Sequence, residues 1–346
     1  MGAVLLNTSE NRVRQIFGSA GCIDVIEEAL PVLSIITVTW NGKRYVEECL
    51  LSLNQESRIP AEVIVIDNAS TDGTPELVEH TFPRFTAIRN AQNLGFAKAN
   101  NIGIRRSRGK YLCLINSDVI VPPDCLTELY RYMESNPDVA VVGPQMLGLD
   151  SAVRRSTMRL PSLRNSFCRA VAADQWPFVS RLVGGQMMSD FRHDHTADVE
   201  VLNGWFWMIR REAVEQVGLL DERFFMYGED MDWCRRFIDA GWRLTFYHGA
   251  HAVHYGGASS SVAPVRFYLE MQRANLQYWE KHHGLLAQFA YRSILIGHHV
   301  IRLAGHSVAF LALSKRRTVL SKKIKRSWAL LVWMAGGSRQ DFRAAV

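Results

Sequence analysis

Three acids stand where a carboxylate could do chemistry. Asp118 closes the segment Lys110–Val121 (KYLCLINSDVIV), whose unbroken apolar run Tyr111–Ile115 stops abruptly at Asn116-Ser117-Asp118. Asp67 ends the apolar run in VIVIDNASTDGT, and Asp230 sits in Phe224–Arg236 (FFMYGEDMDWCRR). A carboxylate at the end of a buried strand can meet a ligand or a metal ion, or it can simply cap a turn. Asp67 has the position of the acid that contacts a base or ribose in dinucleotide folds. No GxGxxG follows the first strand, however; that strand ends in Thr39-Trp40-Asn41-Gly42. NAD binding is therefore disfavoured, and phosphates need another holder. Mg²⁺ or Mn²⁺ could serve, because either is held by one or two carboxylates together with phosphate oxygens and water. Asp118 is the candidate ligand. His251 and His254 are the available downstream donors, and imidazole suits Mn²⁺ better than Mg²⁺.

Asp230 needs a different argument. A helix starting near Glu229 puts Glu229, Asp232 and Arg236 on one stripe, where Arg236 can pair with the acids. Asp230 falls on the other face with Trp233, Cys234 and Phe237. An acid on an apolar face points inward. The helix N-terminus favours its anion and burial opposes it, which suits a general base. Glu229 and Asp232 are adequately explained as complements to the helix dipole.

The elements that must position these acids alternate. Val32–Thr39, Glu62–Ile66, Phe85–Asn90 and the strand before Asp118 are separated by helical segments, as expected for βαβ units on a parallel sheet. Thr74 has the character of an N-cap with Pro75 at the first helical position, and Asp124 can cap the helix that follows. Val139–Val142 is a further strand. Leu147–Glu200 is an irregular excursion over the site, and Val199–Arg210 is strand-like with a glycine interruption. A helix through Ala240 ends at Gly241. Arg243–Tyr247 is a strand, and His248–His254 is a His-rich turn. Gly256–Ser261 reads as a linker, and Phe267–His282 as a helix.

The chain has 346 residues, 48% hydrophobic and 21% charged, with net charge +6 and a pI near 9.0. These are values for a globular protein of one large α/β domain plus an appendage. Six cysteines without a CxxC pair fit reduced thiols rather than a disulfide frame or a zinc site. No secretory leader is expected, and no stretch reaches the uncharged apolar length of a typical spanning helix. Leu285–Leu313 is instead apolar with Arg292, His298, His299, Arg302 and His306 grouped toward one side. Seven Lys or Arg in Ser314–Arg326 and the tryptophans Trp328 and Trp333 follow. Two readings fit this tail: an amphipathic attachment to an anionic membrane surface through residues 285–335, or a packed helical subdomain. No nucleic-acid motif accompanies the basic run.

Taken together, LSIITVTWNG, VIVIDNASTDGT, NLGFAKANNIG, LINSD, LDERFFMYGEDMDWCRR, GWRL and HAVHYGGAS resemble the inverting family-2 glycosyltransferases of GT-A fold, within them the rhamnosyltransferase-like branch. The resemblance covers about residues 32–260. It implies an α/β GT-A fold, a mostly parallel sheet flanked by helices, with a C-terminal helical extension. It divides the chain into a 1–30 extension, a 31–262 glycosyltransferase domain and a 263–346 helical, basic region. It further implies that Thr39, Asn41, Asp67, Asn93, Gly95, Asn100 and Asp118 contact the donor nucleotide. Asp118 and His254 would hold Mg²⁺ or Mn²⁺, although Asn116 replaces the first acid of the DxD motif. Asp230 would be the catalytic base, and Trp205 and Glu229 would meet the acceptor. The implied reaction is inverting transfer of a sugar, best L-rhamnose from dTDP-L-rhamnose, to a hydroxyl of a polysaccharide or lipid-linked oligosaccharide. A UDP-sugar donor and a non-catalytic scaffold are the alternatives. The implied place is the cytoplasm, on the inner face of the membrane.

Overall fold

Apolar runs bounded by polar loops become strands that are buried on both faces. In the computed structural model, described at residues 31–55, 59–173, 178, 182, 185–256, 263–312 and 316–336, they build a mixed, mostly parallel sheet. The expected 1–30 extension lies outside the described residues, as does most of the Gly256–Ser261 linker. β1 (Leu33–Thr39), β2 (Ala61–Asp67), β3 (Thr86–Arg89) and β4 (Tyr111–Ile115) alternate with helices α1 (Lys43–Gln55), α2 (Thr74–Thr81) and α3 (Phe96–Arg106). The pairings β2–β3, β1–β2 and β1–β4 are parallel. Register Thr39↔Asp67 brings the carboxyl ends of β1 and β2 level, the edge where ligands bind such sheets.

Beyond β4 the chain runs through β5 (Val119–Ile120), α4 (Cys125–Ser135), β6 (Val139–Leu147), β7 (Val153–Arg154) and β8 (Thr157–Met158). Helix α5 (Leu163–Ala170), strands β9 (Ala197–Asp198), β10 (Val201–Leu202) and β11 (Phe206–Arg210), and helix α6 (Arg211–Val217) come next. Helix α7 (Glu229–Asp239) and strand β12 (Arg243–His254) then lead to α8 (Pro264–His282), α9 (Leu285–Ala312) and α10 (Arg317–Met334). Sheet order is β3-β2-β1-β4-β11-β6-β12-β5.

Several sequence expectations are corrected. The 199–210 strand is two strands. Asn203-Gly204-Trp205 interrupts it, and β10 joins β8 while β11 inserts antiparallel between β4 and β6. The strand begun at Val139 runs on to Leu147. His248–His254 is no turn: β12 continues through a register irregularity between Tyr247 and His251 and pairs with β6 and β5. Gly73, in the left-handed region at φ 81°, is the N-cap of α2, while Thr74 turns its hydroxyl to Asp72. Asp124 does hold the N-cap position of α4.

Two apolar cores flank the sheet. One unites Trp207, Trp233 and Phe237 with Trp279 on α8, Tyr291 and Leu295 on α9 and Leu330 on α10. The C-terminal helices are therefore seated on the same core as the sheet. A buried aliphatic or aromatic side chain contributes roughly 1.5–3 kcal/mol, so this packing is a substantial part of the fold.

Candidate active site

The first cluster lies at the level carboxyl ends of β1 and β2. Thr39 and Asp67 are almost fully buried. Asp67 Oδ2 accepts from the Ser70 N–H at 2.9 Å, while Asp67 Oδ1 and Thr39 Oγ1 have no partner among the described residues. Buried polar atoms left open in this way are costly unless a ligand completes them. Other donor-side candidates serve the loop itself. Asn41, with φ 49°, accepts from the Thr71 N–H, and Asn93 accepts from the Gly95 N–H. Asn100 is buried and donates to the Phe96 carbonyl of its own helix. Asn68, which sequence reasoning passed over, fastens the loop: it donates to the Gly95 carbonyl and accepts from Asn90 and the Leu94 N–H. Its signal was its place directly after Asp67.

Gly95 ties this loop to the segment carrying Asp230. The Phe96 N–H donates to the Phe225 carbonyl at 2.7 Å, and a Cβ on Gly95 would lie 2.3 Å from that oxygen. Only glycine accepts both this approach and the local φ of 81°.

The second cluster joins Asp118 to His254. β5 begins one residue after Asp118 and pairs His254 with Val119, so the two side chains meet, His254 Nε2 to Asp118 Oδ1 at 3.1 Å. His251 sits three residues away on the same strand, hence on the opposite face, and is exposed. It is removed from the candidate ligand set. Trp205 stacks on His254, with ring centroids 5.5 Å apart at 26°, and its carbonyl accepts from the Asn116 N–H. One carboxylate and one imidazole fit a divalent ion that takes its remaining ligands from a diphosphate and water. No group of three or more His, Cys, Asp or Glu suited to a metal occurs among the described residues.

The third cluster is the start of α7. Asp230, Glu229, Trp205, Asn116 and His254 line a cavity of about 580 Å³. Burial pushes the Asp230 carboxyl above its ordinary range, against hydrogen bonds from backbone N–H groups, including that of Met231 at 2.8 Å. Burial and the adjacent Asp230 charge push Glu229 further up, favouring its protonated form. Glu229 is buried and Asp230 half-buried beside it, so the two carboxyls are unequally placed to ionise. Glu229 and Asp232 do stand in the first turn of α7, where the helix dipole favours an acid, but both are also buried. Asp232 pairs with Arg236 at 3.0 Å as the spacing predicts, but it also takes Lys281 and His282 of α8 at 2.7 Å each.

These features define a GT-A glycosyltransferase. Residues 34–218 match the model of glycosyl transferase family 2, and the chain belongs to that family. Among relatives, the N-acetylglucosaminyl-diphospho-decaprenol L-rhamnosyltransferase of Mycobacterium tuberculosis is 29% identical over 249 residues, covering 68% of this chain and 79% of the relative. An abequosyltransferase of Salmonella typhimurium is 30% identical over 135 residues, 37% of this chain and 40% of that one. Among solved structures, a mannosyltransferase of Pyrobaculum calidifontis with GDP-Man and Mn²⁺ superposes with TM-score 0.52 at 17% identity, covering 89% of this chain and 88% of that one. This last likeness bears on the fold.

Proposed function

We propose that this glycosyltransferase is an inverting, metal-dependent enzyme. In this reading it moves L-rhamnose from dTDP-L-rhamnose to a hydroxyl of a lipid-linked oligosaccharide or growing polysaccharide. The observation that carries the reading is the cavity in which Asp230, a half-buried carboxylate, shares a wall with Trp205 and with His254, itself bonded to Asp118. Asp67 and Thr39 offer open acceptor atoms to the nucleotide, and Asn93, Gly95, Asn100 and Asn41 shape the loop beside it. Asp230 takes the proton of the acceptor hydroxyl as its oxygen attacks the anomeric carbon. The bond to the nucleotide diphosphate breaks with its electron pair leaving on the diphosphate, and the configuration inverts. Glu229 and Trp205 orient the acceptor. A divalent ion held by Asp118 and His254 would offset the charge that builds on the leaving diphosphate. The rhamnosyl donor is supported by the mycobacterial relative.

The membrane attachment is supported by the way α9 is turned. Its polar residues His298, His299 and Arg302 line the cavity, while Leu285, Leu286, Phe289, Val300, Ile301, Val308 and Leu311 are more than half exposed. α9 is also long and apolar enough to cross a membrane, with Arg292 and Arg302 interrupting it. Its polar face is committed to the cavity and its Tyr291 and Leu295 to the core, so a helix lying on the inner leaflet fits better.

A panel of nucleotide sugars, with released nucleotide diphosphate as readout, tests the donor. Turnover confined to a UDP-sugar would overturn the rhamnose assignment, and no turnover with any donor and acceptor would favour a scaffold.

A further inference from the structure

The cavity holding Asp230 does not end at the carboxylates. It continues between α5, α8 and α9, where Arg169, Tyr268, His298 and Arg302 line it. The helices are locked together there. His298 Nδ1 lies 2.8 Å from the Ala170 carbonyl, and His299 lies 2.9 Å from the Tyr268 hydroxyl and 3.2 Å from Ser327 of α10. Among the described residues, neither Arg169 nor Arg302 has a carboxylate within ion-pair distance, whereas about half of the other described arginines do. Arg326 of α10 adds a third guanidinium, 5.8 Å from the Tyr268 ring. Burial pushes the Tyr268 hydroxyl up, and the charges of Arg302, Arg169 and Arg326 act against it. Burial and then the same Arg302 and Arg169 keep His298 toward its neutral form. Two exposed guanidiniums on a cavity wall, neither matched by a carboxylate and with a phenol and imidazoles beside them, suit a polyanion.

We propose that Arg169 and Arg302, with Tyr268 and His298, bind the diphosphate of a prenyl-diphosphate-linked acceptor. The sugar of that acceptor would reach Asp230 through the same cavity. This inference rests on the acceptor class of the proposed function and assigns its anionic group to this end of the site. Met271, Ile294 and Leu295, also on the cavity wall, give the first prenyl units an apolar surface. The exposed apolar side of α9 lies on the same helix, so a chain leaving the cavity there would pass directly into lipid.

The test is binding, not turnover, so it stands apart from the sugar-transfer reading. Farnesyl diphosphate is titrated into the full chain by calorimetry, with saturating dTDP present to occupy the donor side. Farnesol, inorganic pyrophosphate and phosphatidylglycerol vesicles are the comparison probes. Farnesyl diphosphate is expected to bind at least tenfold tighter than farnesol. Arg169→Ala and Arg302→Ala should each weaken it about tenfold, and the double variant more, while Arg169→Lys and Arg302→Lys retain part of the affinity and dTDP binding is unchanged. Equal affinity for farnesol and farnesyl diphosphate would overturn the proposal. So would a folded double variant that binds farnesyl diphosphate like the wild type, or one that loses vesicle binding alone, which would make the cluster a headgroup site.

Discussion

Asp232 offers the sharpest test of how α7 is held. The side chain is fully buried and takes three partners: the Arg236 guanidinium at 3.0 Å within its own helix, and the Lys281 ammonium and the His282 imidazole at 2.7 Å each from α8. Burial alone would raise its pKa, yet His282, Arg236 and Lys281 together hold it below the ordinary carboxylate value. Removing one partner from a buried ion network costs about 3–5 kcal/mol, because the remaining charges stay desolvated. Lys281 and Arg236 each keep about a fifth of their side-chain surface in water, and Lys281 retains Asp221 at 2.8 Å. Asp232→Ala should therefore fall at the lower end, about 3 kcal/mol, read as a lowered urea midpoint with an unchanged slope. The sign with pH follows from the depressed pKa. The stabilisation is present above the unfolded value of 3.8 and is lost as pH falls through the lower folded one, so wild type and variant converge only below 3.8. Function should follow the packing. α8 carries Gln272, Asn275 and Trp279 on the cavity wall, so the acceptor KM should rise while nucleotide affinity holds. A loss of less than about 1 kcal/mol, the range of a surface pair, would refute the view that this acid anchors the two helices.

Three further outcomes are expected. Because burial raises the Asp230 carboxyl and the base must be ionised, kcat/KM should drop as pH falls through a value above 3.8; a profile flat down to pH 4 would deny Asp230 that role. Gly95→Ala meets both a positive φ and the Phe225 carbonyl, so it should cost about 1–3 kcal/mol and weaken nucleotide binding, which thermal melts and dTDP titration can check. Leu286→Ser, Phe289→Ser and Leu311→Ser alter only exposed positions; combined, they should sharply reduce co-sedimentation with anionic liposomes at an unchanged Tm, and equal binding would remove the membrane reading of α9.

The β-α alternation was legible because Tyr111–Ile115 and its counterparts are continuous apolar runs with abrupt polar ends, a local signal. Helical periodicity put Asp230 beside Trp233 and Phe237, and it does line the cavity, but it stays half-buried while Glu229 and Asp232, assigned to the other stripe, are the buried acids of the helix. Contacts between distant segments were not legible. His248–His254 carries polar residues at strand positions, and only pairing with β6 and β5 makes it a strand, which is what sets His254 against Asp118. For Asp232 the dipole and the pairing with Arg236 were legible, but not its other partners, Lys281 and His282, which lie about fifty residues on. The side-by-side grouping of His298, His299 and Arg302 was visible as a polar helix face, but not that this face turns inward, onto Arg169 and Tyr268.

The central claim is that Asp230 is the base of a sugar transfer at this cavity. The most direct measurement is single-turnover sugar transfer by Asp230→Asn, with dTDP affinity determined on the same protein. Asparagine keeps the volume and removes the proton acceptor, so the rate should fall about 10²–10⁴-fold with nucleotide affinity unchanged. A variant that transfers sugar within tenfold of the wild type would contradict the account.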